Sequence, residues 1–521
     1  MSRVALIDLG TNSVRLVVAE VEDDGSSNFI LHEKKPVSLG ESSFTSRLLT
    51  ETAMNRTIAA LGDMVKAARS QGVDEIRAVT TSAVRDAENR AAFLELAEQR
   101  IGLKIKVISG LEEARLIYSG VAHNVNLRDA PGLLIDIGGG SVELIIGNRH
   151  GPYEMDSLPL GAARVAERFN LTADEGRVSR ETYRAMFDFA VSHSRHFAEK
   201  AREYDLAFCY GSSGTIENLV RVNARRHNLA PGARGYPPLP ASSLAELAVW
   251  LGPLSAGERK NIDGLEARKA EIILAGGAVL EAILQTMRLA SVTAVDFGLK
   301  HGLLVDFIAD RTGSGPEHGA SGLREKSVRR LGRRCHYDER HAETVSALAL
   351  AICDAFAKNG LLEISPRERE LVRLAALMHD IGQFLAYQSH HVHSHYLVKN
   401  SGLLGFDEDE VDFMAYLALS HRKRKKRLWP YNLYEEPPRP DFPRWRKLGF
   451  IMRLAELLDS RRQEALTALE FRFEPARAVF LFRSGPGRNF DYEMEALHKN
   501  AKSFHNLFGI GLAAQPKLLD S

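Results

Sequence analysis

Two segments 128 positions apart carry one pattern, and this repeat constrains the fold more than any other feature of the chain. Ala5–Val18 reads ALIDLGTNSVRLVV, and Leu133–Ile146 reads LLIDIGGGSVELII. Ala5 falls on Leu133, Asp8 on Asp136, Gly10 on Gly138, Ser13 on Ser141 and Arg15 on Glu143. Each copy is an apolar run of strand character, an Asp, a glycine-containing turn, a Ser and a second apolar run. Two such copies heading two similar segments predict a duplicated α/β domain with a cleft between its halves. Three consecutive glycines leave no side chain at the second turn, so backbone N–H groups can approach an anion such as phosphate. Asp136 and Glu143 flank that loop, and hard carboxylate oxygens suit Mg2+. A ligand-free glycine hairpin is the plain alternative; retention of Asp, Gly and Ser in both copies favours a clasp for a phosphate chain.

Each half offers a second loop of similar character. After an expected strand at Arg77–Thr80 come Thr80, Thr81, Ser82 and Arg85, opening a helix. After an expected strand at Leu206–Tyr210 come Gly211, Ser212, Ser213, Gly214 and Thr215, again opening a helix. Ligands of open α/β sheets bind at such strand ends, and helix N-termini suit phosphate. Ile105–Ile108 reads as a strand followed by SGLEEARLIYSGV. Ser109 with Glu112 predicts a capping box. That leaves Glu113 without a structural task, on the helix face of Leu116, Ile117 and Gly120. A carboxylate there is costly unless it is used or paired, and Arg85 and Arg115 are the candidate partners. Thr50–Gln71, Ser179–Glu203 and Ala270–Leu284 read as helices, the last broken at Gly276–Gly277.

The 521 residues exceed one core, and 45% hydrophobic with 26% charged content is that of an ordinary globular chain. With 68 Lys and Arg against 67 Asp and Glu, the net charge of +1 excludes a polycation, so a polyanion site must be local. Three scattered cysteines and the absence of a leader-like start or a long apolar run predict a cytoplasmic chain with no membrane span. Thr312–Gly322 is the clearest linker. Beyond it, helices are expected at Ser327–Leu350, Pro366–His379, Asp407–Leu419 and Trp445–Arg461, then a hairpin from about Thr467 and a helix at Asp491–Phe508. This region holds His341, the pair His379–Asp380, the group His390, His391, His393 and His395, then His421 and Asp459. His341, His379, Asp380 and Asp459, each on a helix, can converge on a divalent metal such as Mn, Fe or Zn. The basic run Arg422, Lys423, Arg424, Lys425, Lys426, Arg427 is either a solvated loop or a track for a polyanion.

The segments IDLGTNSVRL, TTSAVR, SGLEEARLIYSGV, IDIGGGSVEL and GSSGTIE, in that order, resemble the exopolyphosphatase / guanosine pentaphosphate phosphohydrolase (Ppx/GppA) family of the actin-like ATPase superfamily. The resemblance covers the whole chain. It implies an α/β fold class with two actin-like (ribonuclease H-like) domains, at 1–126 and 127–312. An all-α HD-like domain at 320–440 and a small α+β C-terminal domain at 441–521 would follow. It casts Glu113 as the general base. Asp136 and Glu143 become the Mg2+ acids, with Glu113 beside them. Asn12, Ser13, Arg85, Gly138, Gly139, Gly140, Ser141, Ser213 and Gly214 become phosphate contacts. Thr11 stands where many relatives have Ser, which keeps the hydroxyl. His341, His379, Asp380 and Asp459 retain an HD pattern that several relatives have lost.

The expected activity is processive release of terminal phosphate from inorganic polyphosphate, assisted by Mg2+, with Mn2+ or a monovalent ion such as K+ as further candidates. The implied assembly is a homodimer, with no nucleic-acid or membrane partner. The closest rival is a guanosine pentaphosphate 5′-phosphohydrolase, or one enzyme doing both. An actin-like kinase, an active HD phosphohydrolase in the second half and a non-catalytic nucleotide sensor are more distant readings.

Overall fold

The computed structural model describes residues 2–517 apart from 24, 42, 172, 233–234, 313–319, 404, 423–441, 463–468 and 483–489. The chain forms two compact units, Met1–Ala320 and Ser321–Ser521. Most of the expected linker lies outside the described residues, as do Lys423, Arg424, Lys425, Lys426 and Arg427 of the basic run.

The first unit is built on two sheets of one design. Strands β1 (Ser2–Leu9), β2 (Ser13–Val21), β3 (Ser27–Pro36), β4 (Glu75–Thr80) and β5 (Ile105–Val107) lie in the order β3-β2-β1-β4-β5. Strands β6 (Gly132–Ile137), β7 (Val142–Asn148), β8 (Gly151–Leu158), β9 (Cys209–Ser212), β10 (Leu239–Pro240) and β11 (Ser291–Ala294) lie in the order β10-β11-β9-β6-β7-β8. Each sheet starts as an antiparallel three-strand meander and continues beyond its first strand through two parallel strands, and the second sheet adds β10, antiparallel, at its edge. The repeat therefore lies at the same topological place in both. Asp8 pairs across the hairpin with Arg15, and Asp136 with Glu143. The turns close alike: Gly10 N–H donates to Ser13 O at 3.1 Å, and Gly138 N–H to Ser141 O at 3.0 Å.

Helix Glu51–Ser70 buries Ala53, Ile58, Leu61, Met64, Val65 and Ala68, the face its periodicity predicts. Helix Gly110–Asn124 is packed on both sides. Leu116 joins the apolar cluster of Val4, Leu6 and Val79 from the first sheet. Ala114, Ile117, Tyr118 and Val121 join Leu134 and Ile145 from the second. Helix Leu299–Thr312 follows the second sheet in sequence, yet its Leu303, Leu304 and Phe307 pack in the first sheet's cluster. The two helices meet at glycines: a Cβ on Gly302 would lie 1.9 Å from Leu116 O, and one on Gly120 2.4 Å from Gly298 O.

Several expected elements shift. The strand expected at Leu206–Tyr210 forms at Cys209–Ser212. The helix at Ile273–Thr286 runs unbroken through Gly276, whose missing side chain admits Thr215; close packing rather than a ligand explains that pair. Ser327–Leu350 is two helices, Ala320–Arg334 and Glu339–Lys358, separated by a turn in which His336 takes φ 49°. A helix at His390–Asn400 goes unanticipated, because its four histidines obscure any apolar period.

In the second unit, helices from Ala320–Arg334 to Phe442–Leu458 share one apolar core with a small sheet. That sheet comprises β12 (Leu469–Glu474), β13 (Arg477–Phe482) and β14 (Gly511–Pro516), in that order, and helix Asp491–Phe508 joins the same core. Cys209, Cys335 and Cys353 are free and buried. Among the described residues, no helix is long and apolar enough to cross a membrane.

Candidate active site in the first unit

The ends of the two hairpins face each other across a cleft of about 350 Å³. Asn12, Ser13, Glu113, Asp136, Gly138, Gly139, Ser141, Ser213 and Gly214 line it, as do Asp8, Arg15, Lys34 and Lys269. The turns touch directly. A Cβ on Gly139 would lie 2.7 Å from Thr11 Cβ, and one on Gly140 2.4 Å from Ser82 Oγ, so these two glycines are required by close approach. The glycine carbonyls are spoken for on one side. Gly138 O accepts from Ala162 N–H at 3.0 Å, and Gly139 O from Ala163 and Arg164 N–H at 2.9 and 3.0 Å. In a trans peptide the N–H opposes the C=O. The amides of Gly139 and Gly140 therefore point away from that helix, as an anion site requires. Ser213 takes φ 92°, ψ 149°, a region that strains any side-chain-bearing residue. Its buried hydroxyl finds no hydrogen-bond partner among the described residues.

Arg85, Gly140 and Glu143 stand behind the lining. Arg85 Nη1 donates to Glu113 Oε2 at 3.2 Å and to Ile108 O at 3.1 Å. Ser109 caps the Glu113 helix by accepting from Glu112 N–H at 3.1 Å. The expected reciprocal half of the capping box does not form. Instead Glu112 accepts from Arg115 Nε and Nη2, both at 2.8 Å, and Arg115 Nη1 reaches Asp306 at 2.9 Å. This triad, with Glu112 and Arg115 buried and Asp306 half-buried, bolts the Glu113 helix to Leu299–Thr312 and removes Arg115 as a partner for Glu113.

On the floor lie the buried Glu113 and Glu143 and the half-buried Asp136. Burial pushes Glu113 up to about 7 against the pull of Arg85. Burial raises Asp136, which also accepts from Ser212 Oγ. Burial, then the charges of Glu113 and Asp136, raise Glu143 well above the usual carboxylate range. Glu143 Oε1 accepts from Ser157 Oγ at 2.8 Å, while Oε2 is buried without a hydrogen-bond partner among the described residues. An orphaned carboxylate oxygen beside two further raised acids fits a hard divalent cation with all-oxygen ligands.

The facing wall is cationic. Burial, then the neighbouring Arg15, lower Lys34 and Lys269 each to about 8. Cations that depress one another mark a place where an anion is wanted. Sequence reasoning did not find Lys34 or Lys269. Lys34 looks like an ordinary strand residue, and Lys269 sits in a charged stretch, Glu266–Glu271, that reads as solvated surface.

In the second unit, His341, His379 and Asp380 come together, joined by Glu456, which sequence reasoning missed. The expected ligand Asp459 is instead behind His341, with Oδ2 2.7 Å from Nδ1. Arg422, the described residue of the basic run, lies over the Tyr387 ring.

Two homologous α/β halves clasping a phosphate-suited cleft define the actin-like fold. Within it, the chain belongs to the Ppx/GppA phosphatase family: the family model matches residues 17–310, and the model for Ppx/GppA phosphatase domain III matches 323–482. An exopolyphosphatase from Cytophaga hutchinsonii is 26% identical with a TM-score of 0.55, the alignment covering 59% of this chain and 98% of that one. The Aquifex aeolicus family member is 27% identical with a TM-score of 0.50, covering the same shares.

Proposed function

We propose that the first unit hydrolyses the terminal phosphoanhydride of inorganic polyphosphate. The observation that carries this reading is the pairing of one raised carboxylate, Glu113, with a floor of acids and a facing wall of cations in one cleft. Asp136 and Glu143, with Glu113 beside them, would hold Mg2+, which when bound neutralises charge on the phosphoryl oxygens. Arg85 holds Glu113 Oε2, leaving Oε1 to take a proton from the attacking water. The Gly139 amide, Asn12, Ser13 and the Ser213–Gly214 loop grip the terminal phosphates, with Gly140 behind them. Arg15, Lys34 and Lys269 receive the next phosphates of the chain, so attack is confined to the end.

Phosphoryl transfer needs positioning and charge neutralisation more than covalent help, and this cleft is built of those two things. The exopolyphosphatase among the solved relatives supports polyphosphate as substrate. Phosphate release from long polyphosphate and from guanosine pentaphosphate, compared at equal enzyme, tests the reading. A higher kcat/KM on polyphosphate is expected, and a clear preference for the nucleotide overturns it.

A further inference from the structure

We propose that the second unit holds a dinuclear centre for divalent transition-metal ions, with Asp380 shared between a His341–His379–Glu456 site and a His390–His421 site. The argument is one of proton placement and does not depend on the activity of the first unit. His379, His390 and His421 each direct Nδ1 at the backbone carbonyl three residues earlier, at 2.7, 2.9 and 2.6 Å. A carbonyl oxygen only accepts, so each Nδ1 carries the proton. His341 Nδ1 is fixed in the same sense by the Asp459 carboxylate. In the neutral rings all four Nε2 atoms are then bare lone pairs, the form in which imidazole binds metal.

Those lone pairs face other acceptors. His390 Nε2 and His421 Nε2 are 3.0 Å apart. Asp380 Oδ1 lies 2.9 Å from the first and 3.5 Å from the second. Glu456 Oε2 lies 3.1 Å from His341 Nε2 and 3.0 Å from His379 Nε2. Acceptor against acceptor is repulsive unless something positive sits between. Second protons on three of the rings, matched in charge by Asp380, Glu456 and Asp459, are the other way to relieve these contacts, and metal uptake separates the two. His379 and His390 are 0% exposed, so bulk water does not reach either ring.

The backbone is shaped to assemble this cluster. A Cβ on Gly382 would lie 2.1 Å from His390 O, so only glycine allows helix His390–Asn400 to dock on the turn after Asp380. Mixed imidazole and carboxylate ligands without thiolate select borderline ions such as Mn2+, Fe2+, Co2+ or Zn2+ rather than Mg2+. A cavity of about 430 Å³ beside His341, His379 and Asp380 gives such ions a route from solvent.

The test uses the full chain, stripped with chelator and returned to excess Mg2+ so that oxygen sites are filled. Uptake of Mn2+ or Co2+ is then counted by elemental analysis after gel filtration. The wild-type chain is expected to hold about two equivalents, His421→Gln about one, and Asp380→Asn neither tightly. Mn2+ in the wild type is expected to give the exchange-coupled spectrum of a bridged pair, and in His421→Gln that of a lone ion. Wild-type uptake below one equivalent, the result for a merely protonated cluster, overturns the proposal. An unchanged count in His421→Gln overturns it as well. If Asp380→Asn fails to fold, the wild-type count and the His421→Gln spectrum decide.

Discussion

Replacing Glu113 by Gln is expected to stop turnover and, in the same protein, to raise stability. Burial lifts the Glu113 carboxyl from 4.5 to about 7, and that position already includes the attraction of Arg85. The folded chain thus holds a proton that the unfolded chain has released between those two values. The stability tied to this group is fully present below 4.5 and is lost as pH rises through about 7. By linkage the loss amounts to about 3 kcal/mol at pH 8 and less than about 1 kcal/mol at pH 5. Glutamine stays neutral throughout and keeps an oxygen for Arg85, so it escapes that loss. For a unit of 320 residues, Met1–Ala320, the gain corresponds to about 4–5 °C in the melting temperature of the metal-free protein at pH 8. Calorimetry at pH 8 and pH 5 in chelator measures it, beside phosphate release in Mg2+, where a general base is worth about 10²- to 10⁴-fold. Near-normal turnover would refute the base. A variant less stable than wild type at pH 8 would refute the desolvation argument even if activity were lost.

Lys269→Met is expected to raise KM for polyphosphate about 10-fold or more with a smaller change in kcat, as fits one charged hydrogen bond. In the wild type, KM should climb as pH passes about 8, where Lys34 and Lys269 lose their charge, and should climb less steeply in the variant. Gly302→Ala puts a methyl group 1.9 Å from Leu116 O and should cost about 1–3 kcal/mol or more, read by denaturant unfolding, with kcat falling because the Glu113 helix must shift. Ser213→Gly relieves the strain at φ 92° and should stabilise by roughly 1 kcal/mol while weakening substrate binding, a split that thermal melts and KM resolve. Chelation should abolish phosphate release and added Mg2+ restore it; full activity in chelator would remove the cation from the mechanism.

The duplication was legible because its signal is local. Asp8 and Asp136 fall at the same place in two sheets of one order, as the aligned segments require. Glu113 stood out for a similar reason, since a charged residue on an apolar helix face needs an explanation. What sequence could not convey was pairing at long range. The Glu112–Arg115–Asp306 triad spans more than 190 residues, and nothing near Glu112 predicts that its carboxylate abandons the capping box. Lys269 reads as surface until the fold turns it into a cleft. In the second unit the histidines were visible, but which acid faces them depends on helix phase. Glu456 is in the last turn of helix Phe442–Leu458 and Asp459 follows its end, and only the packed chain shows that the first faces the cluster and the second supports a ring from behind.

The return of helix Leu299–Thr312 to the first sheet sets a timetable for synthesis. Val4 and Leu6 are made some 300 residues before the helix whose Leu303, Leu304 and Phe307 cover their face. At about 5–20 residues per second, that apolar face waits about 15–60 s on the ribosome before its cover exists. The first half cannot mature as a domain in its own right during that interval. Its edge is a standing target for chaperones, and a ribosome that stalls before residue 299 leaves behind a half-clasp whose exposed face favours aggregation.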